Sequence, residues 1–475
     1  MAAQRIDQVP PAQTISQRIA TFADGLRYDH IPDAVTERAK LLVLDCIGIA
    51  LASGTYEFAH RAHSAITDVA DGQPGQATVI GSAGALPLRD AVYLNGLLVH
   101  GLDFDDTHPG GVIHASASAF PTALGVAETR QLSGRDLLLG YVLGVEVATR
   151  LGIAVKGAFH QVGFHPTGVM GAFGAAVLAA RMRGLPAEAI ATAQGFVGSQ
   201  AAGSLQFLET GAWTKRTHPG WAGVCGITSA AFAAHGFESP PSIYEGRFGL
   251  YASHLGAKGA ADIAACTKGL GEEWETLRVA VKPFPACHFT HAFADAVIAL
   301  RDQHGLAPED VASIRCLIAD GEMKTVCEPE ETKRLPRSTY DAQFSVPFVV
   351  GAALVRGRLT LTEIGEESLT DPVILATAQK VTCEPDPDSG FPELFSGEVI
   401  VETTDGRTLR HREQVNRGAA SRPLSAQDIT RKFEENARLA LGAERREQIR
   451  SAVLALDTVA DVREMTPLLG RRAVR

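Results

Sequence analysis

Closely spaced cysteines are missing. The seven present, Cys46, Cys225, Cys266, Cys287, Cys316, Cys327 and Cys383, form no Cys-x-x-Cys pair. The thiolate run of an iron–sulfur cluster is therefore absent, and the pattern reads as reduced thiols. A basic excess is missing too: 44 Lys and Arg against 54 Asp and Glu leave a formal net charge of −10. That balance argues against nucleic acid or an anionic membrane as a partner, since both need a basic face. No stretch is long and apolar enough to read as a spanning helix, and the opening residues carry no leader-like apolar run. A cytoplasmic protein is expected. A fixed-period repeat of the solenoid kind is also lacking.

What is present is an ordinary globular composition, 45% hydrophobic and 21% charged, over 475 residues. A chain of that length exceeds what one core usually supports, so two domains are expected. Residues 33–53 follow a Pro-Asp start and become apolar nearly all round, as a buried helix does. The pattern recurs at 88–100, 114–130, 135–151, 168–183, 187–198 and 221–235, rich in Ala and Gly that let helix axes approach closely. Near residue 280 the period changes. Ile314, Cys316 and Ile318 alternate with Arg315 and Leu317, and Val399 to Thr403 lead into a Thr-Asp-Gly turn, which predicts strands and a hairpin. Helical periodicity returns after Ser425. The predicted fold is mainly α: a large all-α helical domain (1–278 and 416–475) with an inserted smaller α+β lid domain (279–415).

Residues 100–118 crowd Asp103, Asp105, Asp106, His100, His108, His114 and Thr107 around a Pro-Gly-Gly turn. Neighbouring carboxylates and imidazoles shift each other's pKa, which suits proton transfer near neutral pH. The same stretch also reads as a solvated helix cap. Four further stretches place polar groups in apolar surroundings. Gly163-Phe-His-Pro-Thr-Gly168 opens a helix whose free N–H groups suit a carboxylate. Thr214-Lys-Arg-Thr-His-Pro-Gly-Trp221 sets Lys215, Arg216 and His218 before an apolar helix, with Trp213 and Trp221 favouring burial. Lys282-Pro-Phe-Pro-Ala-Cys287 fixes a lysine at the domain junction; His288 and His291 after it lack a third ligand at helical spacing, so no metal site is expected. Asp341-Ala-Gln-Phe-Ser-Val-Pro-Phe348 is a polar approach to an apolar helix.

Taken together and in this order, Asp103-Phe-Asp-Asp-Thr107 with His114, and the stretches at 163–168, 214–221 and 282–287, resemble the MmgE/PrpD family over about residues 15–460. That family includes 2-methylcitrate dehydratase, cis-aconitate decarboxylase and iminodisuccinate epimerase. The resemblance implies a homodimer, a cleft between the domains, and no metal or organic cofactor. It carries Asp103, Thr107, His114, His165, Lys215 and Lys282 into the site, with His218 nearby. The chain departs from the decarboxylase branch at Cys287 and Phe348, where that branch has His and Tyr.

The expected function is a cofactor-independent lyase, of dehydratase or decarboxylase type, acting on a small di- or tricarboxylate by proton transfer beside a carboxylate. His114 would be the general acid/base, Asp103 would orient it, and His165 would move the second proton. Lys215, Lys282 and Arg216 would neutralise the substrate's carboxylates and the developing carbanion, with Thr107 and His218 binding alongside. An epimerase or isomerase of a small dicarboxylate is the alternative, and a non-catalytic carboxylate-binding protein a third reading.

Overall fold

A computed structural model describes residues 13–256, 261–391 and 394–470. The helices Asp33–Ser53, Leu88–His100, Ser116–Arg130, Gly134–Ile153, Pro166–Met182 and His218–Ala234 enclose the larger core. Their sequences explain their ends. Ser133 and Asp136 cap one helix reciprocally, and Pro166 sits in the first turn of another, where its missing N–H costs nothing. Small residues set the spacing: a Cβ on Gly96 would come within 2.6 Å of the Gly220 Cα, so two helices cross here with backbones nearly touching.

The chain's last part rejoins this body. Leu424, Ile429, Phe433, Ile449 and Val453 belong to the same buried cluster as Ile47 and Leu51. A second core holds Phe293, Val297, Ile314, Phe348, Val350, Val399 and Val401. It backs a four-stranded sheet in the order Val381–Pro385, Val311–Ile318, Gly397–Thr403, Thr408–Glu413; the first pair is parallel and the others antiparallel. The molecule is thus mainly α with a smaller α+β part. The helical body is not purely α: a two-residue ribbon, Ala77–Thr78 with Ala85–Leu86, lies within it. No single helix among the described residues is long and apolar enough to cross a membrane.

Candidate active site

The Leu88–His100 helix runs into a loop whose backbone turns sharply at Asp103, in the left-handed region at φ +50°. An L-residue with a Cβ is held there only by its surroundings. Lys282 Nζ donates to the Asp103 carbonyl at 2.7 Å and lies 3.4 Å from its carboxylate. Lys215 Nζ donates to the same carboxylate at 2.5 Å. One step on, Lys432 Nζ donates to the Phe104 carbonyl at 2.8 Å and to the Asp45 carboxylate at 2.9 Å. Thr107 and Ala280 exchange two backbone hydrogen bonds at 2.8 Å, so the strand-like pair delivers Lys282 to the loop. Gln343 completes the join, donating to Leu102 O at 2.6 Å and to Pro285 O at 3.0 Å.

Adjacent acids in this loop have opposite fates. Burial alone would raise Asp103, but Lys215 and Lys282 outweigh it and hold the carboxyl well below the usual range. Asp105, equally buried, is held low by His100, whose Nδ1 is 2.7 Å away, and by His114. Asp106 makes no ion pair among the described residues, Arg38 acting on it only from a distance. Burial, with Asp105 and Asp45 nearby, pushes it up to about 7 despite its bond to Ser116. It anchors the start of the Ser116–Arg130 helix rather than facing the cavity. His108 likewise braces the turn: its Nδ1 accepts from Gly111 N at 3.0 Å, which leaves Nε2–H to donate to Glu275 at 2.9 Å.

Asp103, Thr107, His114, His165, Lys215 and Lys282, distant in sequence, line one cavity with an open interior of about 90 Å³. His114 Nδ1 is 3.4 Å from Asp105 and its Nε2 4.0 Å from Asp103. His165 faces it, ring centres 6.1 Å apart. Burial and Lys215 push His165 well below its ordinary value, so its ring is neutral at pH 7. Its Nδ1 is 3.0 Å from Nδ1 of His218, itself held down to about 4 by burial and Lys215. One Nδ1 of that pair must donate and the other accept, which couples their tautomers. Against Asp103, Lys215 is raised above its usual value despite the cost of burial, and stays charged.

Two sequence expectations land elsewhere. His218 sits behind His165 and does not line the cavity. Arg216 turns away: its Nε donates to Gly101 O at 2.6 Å and its guanidinium lies over Phe58 and Tyr340 at 4.3 and 4.5 Å. In a tight turn successive side chains diverge, so Lys215 takes the cavity and Arg216 the adjoining aromatic cleft. Lys215 and Arg216 are buried, as expected; Trp213 and Trp221 are each 43% exposed, and the Trp213 ring lies 5.9 Å from the Arg216 guanidinium. Phe348 lies in the core of the α+β part, in keeping with the apolar helix that its stretch opens, and Phe344, four residues earlier, lines the cavity. Sequence reasoning also missed His160, Phe207, Phe289 and Phe395 in the lining, and Lys432 with Asp45 beneath it. An aspartate inside the apolar run Leu44-Asp45-Cys46 was the one available signal for that buried pair.

His100, His114 and His165, or His100 and His114 with Asp103 and Asp105, bring ligand atoms within 4.8 Å of one another, the best cation-holding group among the described residues. Two ammonium groups already compensate Asp103, however, and His100 Nδ1 is committed to Asp105. Such an arrangement can hold a carboxylate and move a proton beside it.

The chain matches the MmgE/PrpD N-terminal domain over residues 17–262 and the MmgE/PrpD C-terminal domain over 284–458. It is 30% identical to human cis-aconitate decarboxylase, covering 96% of this chain and 95% of that protein. Against cis-aconitate decarboxylase of Aspergillus terreus strain NIH 2624 the figures are 26%, 96% and 95%. Against the mitochondrial 2-methylcitrate dehydratase of Yarrowia lipolytica they are 24%, 79% and 73%. With both domain models and a full-length relative in agreement, the chain belongs to the MmgE/PrpD family and is a lyase of that type.

Proposed function

We propose that the protein removes carbon dioxide or water from a small di- or tricarboxylate, without a cofactor, by proton transfer at a carbon next to a carboxylate. The observation that carries this reading is the meeting of His114 and His165 with the Lys215–Asp103–Lys282 group in one enclosed cavity. A substrate carboxylate seated by the two ammonium groups, with Thr107 beside it, places its neighbouring carbon between the imidazoles. Losing CO₂ or an α-proton leaves negative charge on that carbon and its carboxylate. Lysines fixed before the reaction stabilise that charge without reorganising, which is worth about 2.7–4 kcal/mol per donor in a comparable oxyanion site. His114, braced by Asp105 and Asp103, exchanges one proton; His165, whose tautomer is set by His218, exchanges the other.

Incubation with cis-aconitate and with 2-methylcitrate in D₂O, followed by NMR, tests this. From at least one acid of a wider di- and tricarboxylate panel, loss of CO₂ with one solvent deuterium in the product, or loss of water with none, is expected. Complete inertness towards a panel of di- and tricarboxylates would overturn it. Two imidazoles on opposite sides of a bound carbon also suit two-base epimerisation, which would return deuterated substrate with its skeleton intact. We further propose a cytoplasmic homodimer. Trp221, Phe232 and Phe237, 43%, 42% and 52% exposed, support association through this face, and sedimentation would report it.

A further inference from the structure

Resting on the carboxylate reading above, we infer that the substrate is a dicarboxylate bearing an uncharged apolar arm, its carboxylates beside Lys215 and Lys282 and its arm against Phe289 and Phe395. Charge is the first reason. Lys215 and Lys282 are the only lysine or arginine side chains among the described residues of the lining, and both already face Asp103. The remaining cation of the motif, Arg216, is spent on Gly101 O and two aromatic rings outside the cavity. His160 and His165 add no charge at neutral pH, since burial and Lys215 lower both, His160 to about 4. A third carboxylate would be buried with no further lysine or arginine among the described lining residues to meet it, a costly state.

The aromatic part of the lining supplies the second reason. Phe289 and Phe395 meet edge to face at 5.1 Å, and Phe395 meets His288 at 5.2 Å, which makes a continuous aromatic wall. The groups there able to hydrogen-bond carry no charge. Burial and Asp103 push the Cys287 thiol up to about 11, and burial with His291 holds the His288 ring neutral. His288 Nε2 is engaged by Asn416 at 2.5 Å. Thr325 contributes only a hydroxyl. Such a wall gains from excluding water around methylene groups, and the polar atom it leaves unpartnered, His288 Nδ1, offers a neutral hydrogen bond rather than a charge.

Calorimetric titration of the intact protein with succinate, 2-methylsuccinate, 2-butylsuccinate and propane-1,2,3-tricarboxylate tests the inference. Binding should tighten about fourfold per added methylene of the side chain, as full burial predicts. The tricarboxylate should bind more weakly than 2-butylsuccinate. In Phe289→Ala the gain per methylene should shrink. A series flat within twofold, or the tricarboxylate binding tightest, overturns the inference and leaves the polycarboxylate reading standing. No binding by any of the four acids overturns both.

Discussion

On the helical side of the cavity Asp103, His165 and Lys215 are buried, paired and charged or poised to pass a proton; on the α+β side Cys287, Phe289, Phe344 and Phe395 offer neutral and apolar surface. Lys282 stands at the seam, tied to the helical side through Asp103. The contrast teaches a division of labour. In the proposed reaction bond making would depend on groups held by the helical body, and the α+β part would decide what fits against them. Because the two walls meet through Thr107–Ala280 and Gln343, small shifts between them move Lys282 relative to His114.

If that division holds, the largest effect belongs to His114. His114→Gln should lower kcat by about 10²–10⁴-fold, measured on whichever acid is turned over, with an unchanged melting temperature showing that the fold survives. Turnover within threefold of wild type would remove His114 from the chemistry. Lys215→Met should cost about 10²–10³-fold in kcat/KM. Phe395→Leu, on the other wall, should act mainly on KM, by about tenfold. A kcat loss in Phe395→Leu matching that of Lys215→Met would erase the contrast between the walls.

Beneath the polar wall, Lys432→Met should destabilise the protein by about 3–5 kcal/mol in urea unfolding, because it strands Asp45 without its partner. The double variant Asp45→Asn/Lys432→Met should recover most of that loss. Failure to recover would mean that the bond to the Phe104 carbonyl, rather than the ion pair, holds the loop.

The smallest effect concerns pH and sets neighbours against each other. Burial keeps Asp106 protonated up to about 7 in the folded chain, against an ordinary 3.8. The folded protein therefore holds a proton that the unfolded chain releases, and this contribution is complete below pH 3.8 and lost as pH rises to about 7. His100 and His218 act the other way. Burial lowers each from 6.5 to about 4, so the unfolded chain takes up protons that the folded one refuses, and stability falls as pH drops through that range. Asp106→Asn removes the opposing contribution, so its melting temperature should fall more steeply than that of wild type between pH 6.5 and 4. Parallel curves would show that Asp106 is ionised in the folded state.

Helix limits were legible where capping and periodicity agree: Asp33–Ser53 and Leu88–His100 fall where the pattern places them. The strand Val381–Pro385 was not anticipated. Five residues ending in Glu-Pro carry little periodicity, and their parallel pairing with Val311–Ile318 is a long-range event. Within the site, the acids, imidazoles and lysines stood out because charge is conspicuous among apolar neighbours. The phenylalanines of the opposite wall had no such contrast, since a buried ring and a cavity-lining ring look alike in sequence. The direction of Arg216 could not be read at all, because it follows from one turn of backbone geometry.

Lys432 gives the molecule an order of completion. The loop that carries Asp103 is made early in translation, yet one of its braces comes from the Ala426–Ala437 helix, synthesised after the whole α+β part. A nascent chain that has already extruded Asp103, His114, His165, Lys215 and Lys282 still lacks the ammonium group that holds Phe104. The brace is therefore in place only once the final helices have left the ribosome and docked against the Asp33–Ser53 helix, so a prematurely released product would carry the cavity's polar side chains without Lys432 beneath them.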